Sequence, residues 1–139
     1  EGRAEIDPNL EASEGDLGLT SPTGHVRIDP EALTSEGLAK SIIAHEGTHV
    51  AQIGEGNFHA FDGAEQSVNE LEALRAGIAA SDGYSDDVML IGYRSDWQSE
   101  ANSLLDSLRD TSYYNEISAS PPSYALDPGT TCPPAVCHL

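Results

Sequence analysis

The stretch "AHEGTHVAQ", residues 44–52, places two histidines four residues apart with a glutamate directly after the first. On a helix, His45 and His49 lie one turn apart on the same side, where a single ion can take both imidazoles. Glu46 is rotated by about 100° from His45, close enough to act on a water at an open coordination position without becoming a ligand. The pattern H-E-x-x-H therefore reads as a zinc site with its own general base, Glu46. The competing reading is a buried histidine pair hydrogen-bonded to backbone and to the glutamate. Leu38, Ile42 and Ile53 share the histidines' side of the wheel, so both imidazoles are expected to point inward. Two buried histidines beside a buried carboxylate are costly without a strong partner, which favours the metal. Gly47 costs about 1 kcal/mol of helix stability relative to Ala. Its expected role is to admit another backbone at close range, or else it is merely tolerated.

Working outward, Thr34 or Ser35 caps a helix that runs to about Ile53, with Gly54 as its stop. Upstream, "HVRID" at 25–29 alternates apolar Val26 and Ile28 with polar neighbours and predicts a strand ended by Pro30. Residues 1–24 carry few apolar anchors and are expected to form a loosely held arm. Downstream, Asp62 and Glu65 form a variant capping box for a second helix over about 63–80, with Val68, Leu71, Leu74 and Ile78 at helical spacing. A third helical stretch begins near Asp86 and carries Trp97, Ala101, Leu104, Leu105 and Leu108, with Gly92 and Ser95 as a point of division. After Tyr114 the period is lost, and 115–139 reads as an irregular Pro-rich tail. The expected fold is α+β and mainly helical, one domain of 139 residues with a small sheet or edge strand.

A zinc site of this kind needs a third protein ligand. Glu70 and Glu72 in "VNELEALRAG" are both available; they lie about 200° apart on a helix, so only one can face the ion. Periodicity does not choose between them, and Glu55 and His59 are further alternatives. The long metzincin pattern fits badly, because Gln52 and Glu55 stand where it needs glycine and histidine.

H-E-x-x-H followed by a ligating glutamate on a second helix resembles the gluzincin branch of zinc metallopeptidases. Asn69-Glu70 matches the asparagine–glutamate pair of thermolysin-like members, and Glu70-Leu71-Glu72-Ala73 matches the Glu-x-Glu-Ala run of related membrane proteases. Leu74 stands where that run continues with Asp, which removes the usual hydrogen-bond partner of a ligating histidine. The resemblance covers about residues 34–80 and implies His45, His49 and Glu70 as ligands of Zn²⁺. "AHEGTHVAQ" is also similar to the short metallopeptidase domains at the ends of bacterial polymorphic toxins, including Rhs-type effectors. That similarity implies secretion or delivery as part of a larger effector, a protein or peptide substrate and a neutralising immunity protein. A chain opening at Glu1 with no signal peptide agrees with release from a longer carrier.

The expected reaction is hydrolysis of a peptide bond with Glu46 as proton carrier. The other readings are a zinc amidase acting on peptidoglycan and an inactive zinc-stabilised binding module. A second donor to the developing oxyanion is expected from Tyr93, with Tyr84, Tyr113, Tyr114, His25 and His59 as alternatives. "HVRID" is the expected edge strand for an extended substrate. Six basic against 24 acidic residues give a formal charge of −18, which disfavours nucleic acid and anionic lipid as partners. No window is long and apolar enough for a membrane span. Cys132 and Cys137 are compatible with a disulfide or with two thiols, and their spacing beside His138 is a weak metal signal.

Overall fold

The computed structural model describes residues 3–59 and 63–119, and the chain is mainly helical with one small sheet. Three short strands, β1 (Ala4–Ile6), β2 (Gly18–Thr20) and β3 (Val26–Ile28), form that sheet in the order β1-β3-β2. β1 runs parallel to β3 and β2 antiparallel to it. The link between β2 and β3 turns through Gly24, whose φ of 82° suits a residue without Cβ.

Two sequence expectations are corrected here. The segment 1–24 is no loose arm: it supplies two of the three strands and a short helix, α1 (Leu10–Glu14), whose Leu10 is fully buried. Its strands are three residues long and find their partner only in β3, so no local period announces them. For the same reason β3, the "HVRID" strand, sits in the middle of the sheet rather than at its edge.

Asp29 accepts a hydrogen bond from the Glu31 amide at the head of a 3-10 turn, Pro30–Leu33. Ser35 rather than Thr34 then caps α2 (Glu36–Gly54), its Oγ accepting from the Leu38 amide. Gly54 is the last residue of that helix, and the left-handed turn after it falls on Gly56, φ 74°.

α3 (Ala64–Ala80) starts from Gly63 as N-cap; the Asp62 half of the expected capping box lies outside the described residues. α4 (Val88–Ser107) is capped by Asp87 and continues through Gly92 and Ser95 without the expected division. One helical glycine costs about 1 kcal/mol, which packing along a 20-residue helix can absorb.

The tail is corrected in part: α5 (Tyr113–Ala119) is helical, and Ile117 packs into the core. Arg75 Nη1 donates to the Ile117 carbonyl at 2.8 Å, tying α5 to α3. Residues 120–139, with Cys132, Cys137 and His138, lie outside the described residues.

The apolar residues gather in two clusters. Leu17, Ile28, Leu38, Ile42 and Leu90 pack the sheet against α2 and the start of α4. Leu71, Leu74, Ile78, Ala101 and Leu108 pack α3 against α4. Trp97 touches both, so α4 braces the sheet and the helix pair together. Among the described residues no helix is long and apolar enough to cross a membrane.

Candidate metal centre

α2 and α3 pack closely because Gly77 meets the Ser41 carbonyl; a Cβ there would lie 3.1 Å from that oxygen and 3.6 Å from His45 Cβ. Gly47, expected to admit a neighbouring backbone or to be merely tolerated, faces outward, and among the described residues nothing lies within 4 Å of where its Cβ would stand. The close approach is therefore made by a glycine on the opposite helix, one that spacing within 44–52 could not reveal.

That contact brings His45, His49 and Glu70 together as a candidate metal-binding triad. The two Nε2 atoms are 3.2 Å apart. Glu70 Oε1 is 3.3 Å from His45 Nε2, and Oε2 is 3.3 Å from His49 Nε2. An ion with tetrahedral ligands at roughly 2.0–2.1 Å separates its ligand atoms by about 3.3–3.4 Å. The donor set, two imidazole nitrogens and a carboxylate, suits such an ion, and the separation of the two nitrogens is close to that spacing, with one Glu70 oxygen turned to each ring.

The tautomer of His49 follows from its neighbours. Gln52 Nε2 donates to the Asn69 carbonyl at 3.1 Å and to Glu72 Oε2 at 3.0 Å, and both are acceptors only. Gln52 must then turn Oε1 to His49 Nδ1, 2.9 Å away, so Nδ1 carries a proton, and in the neutral ring the lone pair is left on Nε2, facing the triad. In the same network Glu72 accepts from Gln52, while Glu70 faces both histidines directly.

Glu55 is an exposed cap residue outside the triad. The His59 backbone amide donates to Asn69 Oδ1 at 2.7 Å, and its ring is not part of the triad. Asn69 Nδ2 also donates to the Asn57 carbonyl, so this asparagine pins the α2–α3 connection beside the site. Phe58 from that connection sets its ring edge-to-face with His49, centroids 5.6 Å apart.

Glu46 is 4% exposed and accepts a 2.6 Å hydrogen bond at Oε2 from Thr20 Oγ1 on β2. Gly18, two residues earlier and on the same face of β2, makes room for it: a Cβ there would lie 2.7 Å from Glu46 Oε1. Burial pushes the Glu46 carboxyl above its ordinary range, against the pull of His45, Thr20 and His49. Burial would also raise Glu70, but its hydrogen bonds to His45 and His49 and their charge outweigh that and hold it well below the usual carboxylate range. For His49, burial lowers the imidazole; hydrogen bonds to Glu70 and Gln52, with the Glu70 and Glu46 charges, outweigh it and leave the group raised.

A cleft of about 280 Å³ opens beside the triad, lined by His45, Glu46, Glu70 and Gly18 together with Tyr93 and Trp97. Of the residues expected to aid an oxyanion, Tyr93 lines this cleft and the others do not. Tyr84 donates to Glu36, Tyr113 to Glu65, and His25 pairs with Glu5. Thr20, Gly18, Gln52 and Gly77 were missed as site residues. Gln52 alone had a local signal, one helical turn after His49, whereas Thr20 and Gly18 lie in a segment with no period.

No family model, no curated protein and no solved structure matches this chain.

Proposed function

We propose that the protein is a zinc-dependent peptidase of the gluzincin-like kind, with His45, His49 and Glu70 as ligands and Glu46 as general base. The observation that carries this reading is the convergence of two imidazole nitrogens and the two oxygens of one carboxylate, at 3.2–3.3 Å, beside a cleft that also holds a buried carboxylate outside that group. A purely structural zinc site is closed by four protein ligands and has no use for such a base. Zinc held by those three residues would supply Lewis acidity, acidifying water and polarising a carbonyl.

The chain's own groups do the rest. Thr20 engages Glu46 Oε2, so Oε1 takes the proton of the attacking water and passes it to the leaving nitrogen. Burial makes that carboxylate a stronger base than an exposed one. Tyr93 is the proposed second donor to the oxyanion. Desolvation and the Glu31 carboxylate keep its phenol protonated, and its O–H, 3.2 Å from Glu31 Oε1, must exchange that acceptor for the substrate.

β2 replaces β3 as the proposed substrate-pairing strand. The Asp29 amide donates to the Leu17 carbonyl and the Ser21 amide to the His25 carbonyl. Alternation then turns the backbone groups of Gly18 and Thr20 toward the free edge. These are the residues that flank Glu46, so an extended substrate paired there runs past the base.

The test is zinc content by mass spectrometry on wild type, His49→Ala and Glu46→Gln, each assayed on denatured protein and on purified peptidoglycan. The expected result is stoichiometric zinc in wild type, loss in His49→Ala, and retention without activity in Glu46→Gln, with denatured protein cleaved. Cleavage of peptidoglycan alone would move the substrate to cell-wall amides. A wild type that takes up no zinc from chelator-free buffer, and does not respond to added zinc, would falsify the reading. The similarity of 44–52 to toxin tips supports delivery within a larger effector; expression in a target cell should be toxic for wild type and harmless for Glu46→Gln.

A further inference from the structure

Among the described residues lining the cleft, five are carboxylates, Asp16, Glu46, Glu70, Asp96 and Glu100, and none is lysine or arginine. A divalent ion at the triad offsets two of those charges. Asp16 and Glu100 interact electrostatically with each other, with Glu70 and with His45, so they belong to one field rather than to separate stretches of acidic surface. Low-dielectric walls concentrate that field inside the cleft. One wall is aromatic: Tyr93 and Trp97 stack with centroids 5.9 Å apart, and Trp97 is half-buried.

A second observation is independent of charge. Ser41, 1% exposed and one helical turn before His45, also lines the cleft, and its Oγ has no hydrogen-bond partner among the described residues. A buried hydroxyl left unpaired is costly, and a polar group entering the cleft would satisfy it.

We propose that the part of the cleft beyond the triad, formed by Asp16, Asp96, Glu100, Trp97 and Ser41, is a subsite for a cationic group of the substrate, an ammonium or guanidinium. Carboxylates at the mouth take the charge. The Trp97 face and the apolar Leu17 and Leu74 take the stem of a lysine or arginine side chain. The Ser41 hydroxyl pairs with a polar group that follows it inward. The substrate is then a peptide whose lysine, arginine or amino terminus lies beside the bond to be cut.

This assignment rests on the peptidase reading, but its test is binding. Zinc-loaded Glu46→Gln protein is titrated calorimetrically with pentapeptides that are acetylated and amidated and differ only in a central lysine, arginine or norleucine. A further norleucine peptide carries a free amino terminus. The lysine and arginine peptides, or the free-amine peptide, should bind roughly five- to ten-fold tighter than the blocked norleucine peptide. Which arm gains identifies the source of the cation.

The double variant Asp16→Asn/Glu100→Gln, made on the same background at exposed positions, should erase the difference. Ser41→Ala should weaken the preferred peptide several-fold without erasing it. Equal binding of all four peptides, or a preference that survives the double variant, would overturn the proposal. If the preference is present but wild type hydrolyses nothing, the peptidase reading fails and the cationic subsite stands.

Discussion

At the scale of single residues, Gln52 is the hydrogen-bond partner of His49 Nδ1. Its orientation is imposed by the Asn69 carbonyl and Glu72, and it in turn fixes the His49 proton on Nδ1. Gln52→Ala should lower zinc affinity about 10- to 100-fold, read by competition with a chromophoric chelator, while Glu72→Gln should cost much less. The titrating groups also predict how the metal-free protein responds to pH. Glu70 is depressed, so its pairing stabilises above the ordinary carboxylate value of about 4 and is lost as pH falls below it. His49 is raised, so its pairing is complete below about 6.5 and is lost as pH rises through its folded value. The pair therefore contributes most between about pH 4 and 6.5. Glu46 acts in the opposite sense, since ionising a buried carboxyl costs stability as pH rises from about 4 to its raised value. Glu46→Gln should raise the Tm of metal-free protein at pH 7.5, and the gain should shrink on acidification toward pH 4.

At the scale of elements, the spacing between α2 and α3 sets the triad, and two glycines on those helices make opposite predictions. Gly47 faces open space on α2, so Gly47→Ala should stabilise by up to about 1 kcal/mol through helix propensity alone. Gly77 sits against the Ser41 carbonyl at the helix contact. There the same gain is opposed by an overpacking cost of roughly 1–3 kcal/mol. Gly77→Ala should be neutral to destabilising in urea titration and should weaken zinc binding by moving His45 away from Glu70. The contact between β2 and α2 positions Glu46, the proposed base. Gly18→Ala would intrude on both Glu46 and Ile42, and should lower hydrolysis far more than zinc content.

At the scale of the whole molecule, the candidate metal-binding triad spans α2 and α3, while Trp97 on α4 joins the two apolar clusters. A ligand that binds only the folded state stabilises it by mass action, about 2.7 kcal/mol at a free concentration 100 times its Kd. Chelation should therefore lower the Tm of the zinc form by several degrees, and His49→Ala should abolish the response. The zinc-induced rise in Tm should grow from pH 6 to pH 8, because the ligands must shed their protons to bind.

What the sequence determined by itself is local. Capping by Ser35, the period of the three long helices and the placing of His45, Glu46 and His49 on adjoining faces of one helix need only chemistry between residues a few positions apart. The same local reasoning stopped where partners are distant. It reads residues 1–24 as an arm, because three-residue strands are defined by whom they pair with, and it reads β3 as an edge because neither β1 nor β2 carries a period of its own. It could not choose Glu70 over Glu72, which flank the apolar stripe at similar angles; the packing of α3 on α2 chose. Nor could it find Thr20 for Glu46, 26 residues away, or the Gly77 contact that lets the helices meet. Those were decided by tertiary structure alone, because a hydrogen bond or a close backbone approach between distant segments leaves no period in either one.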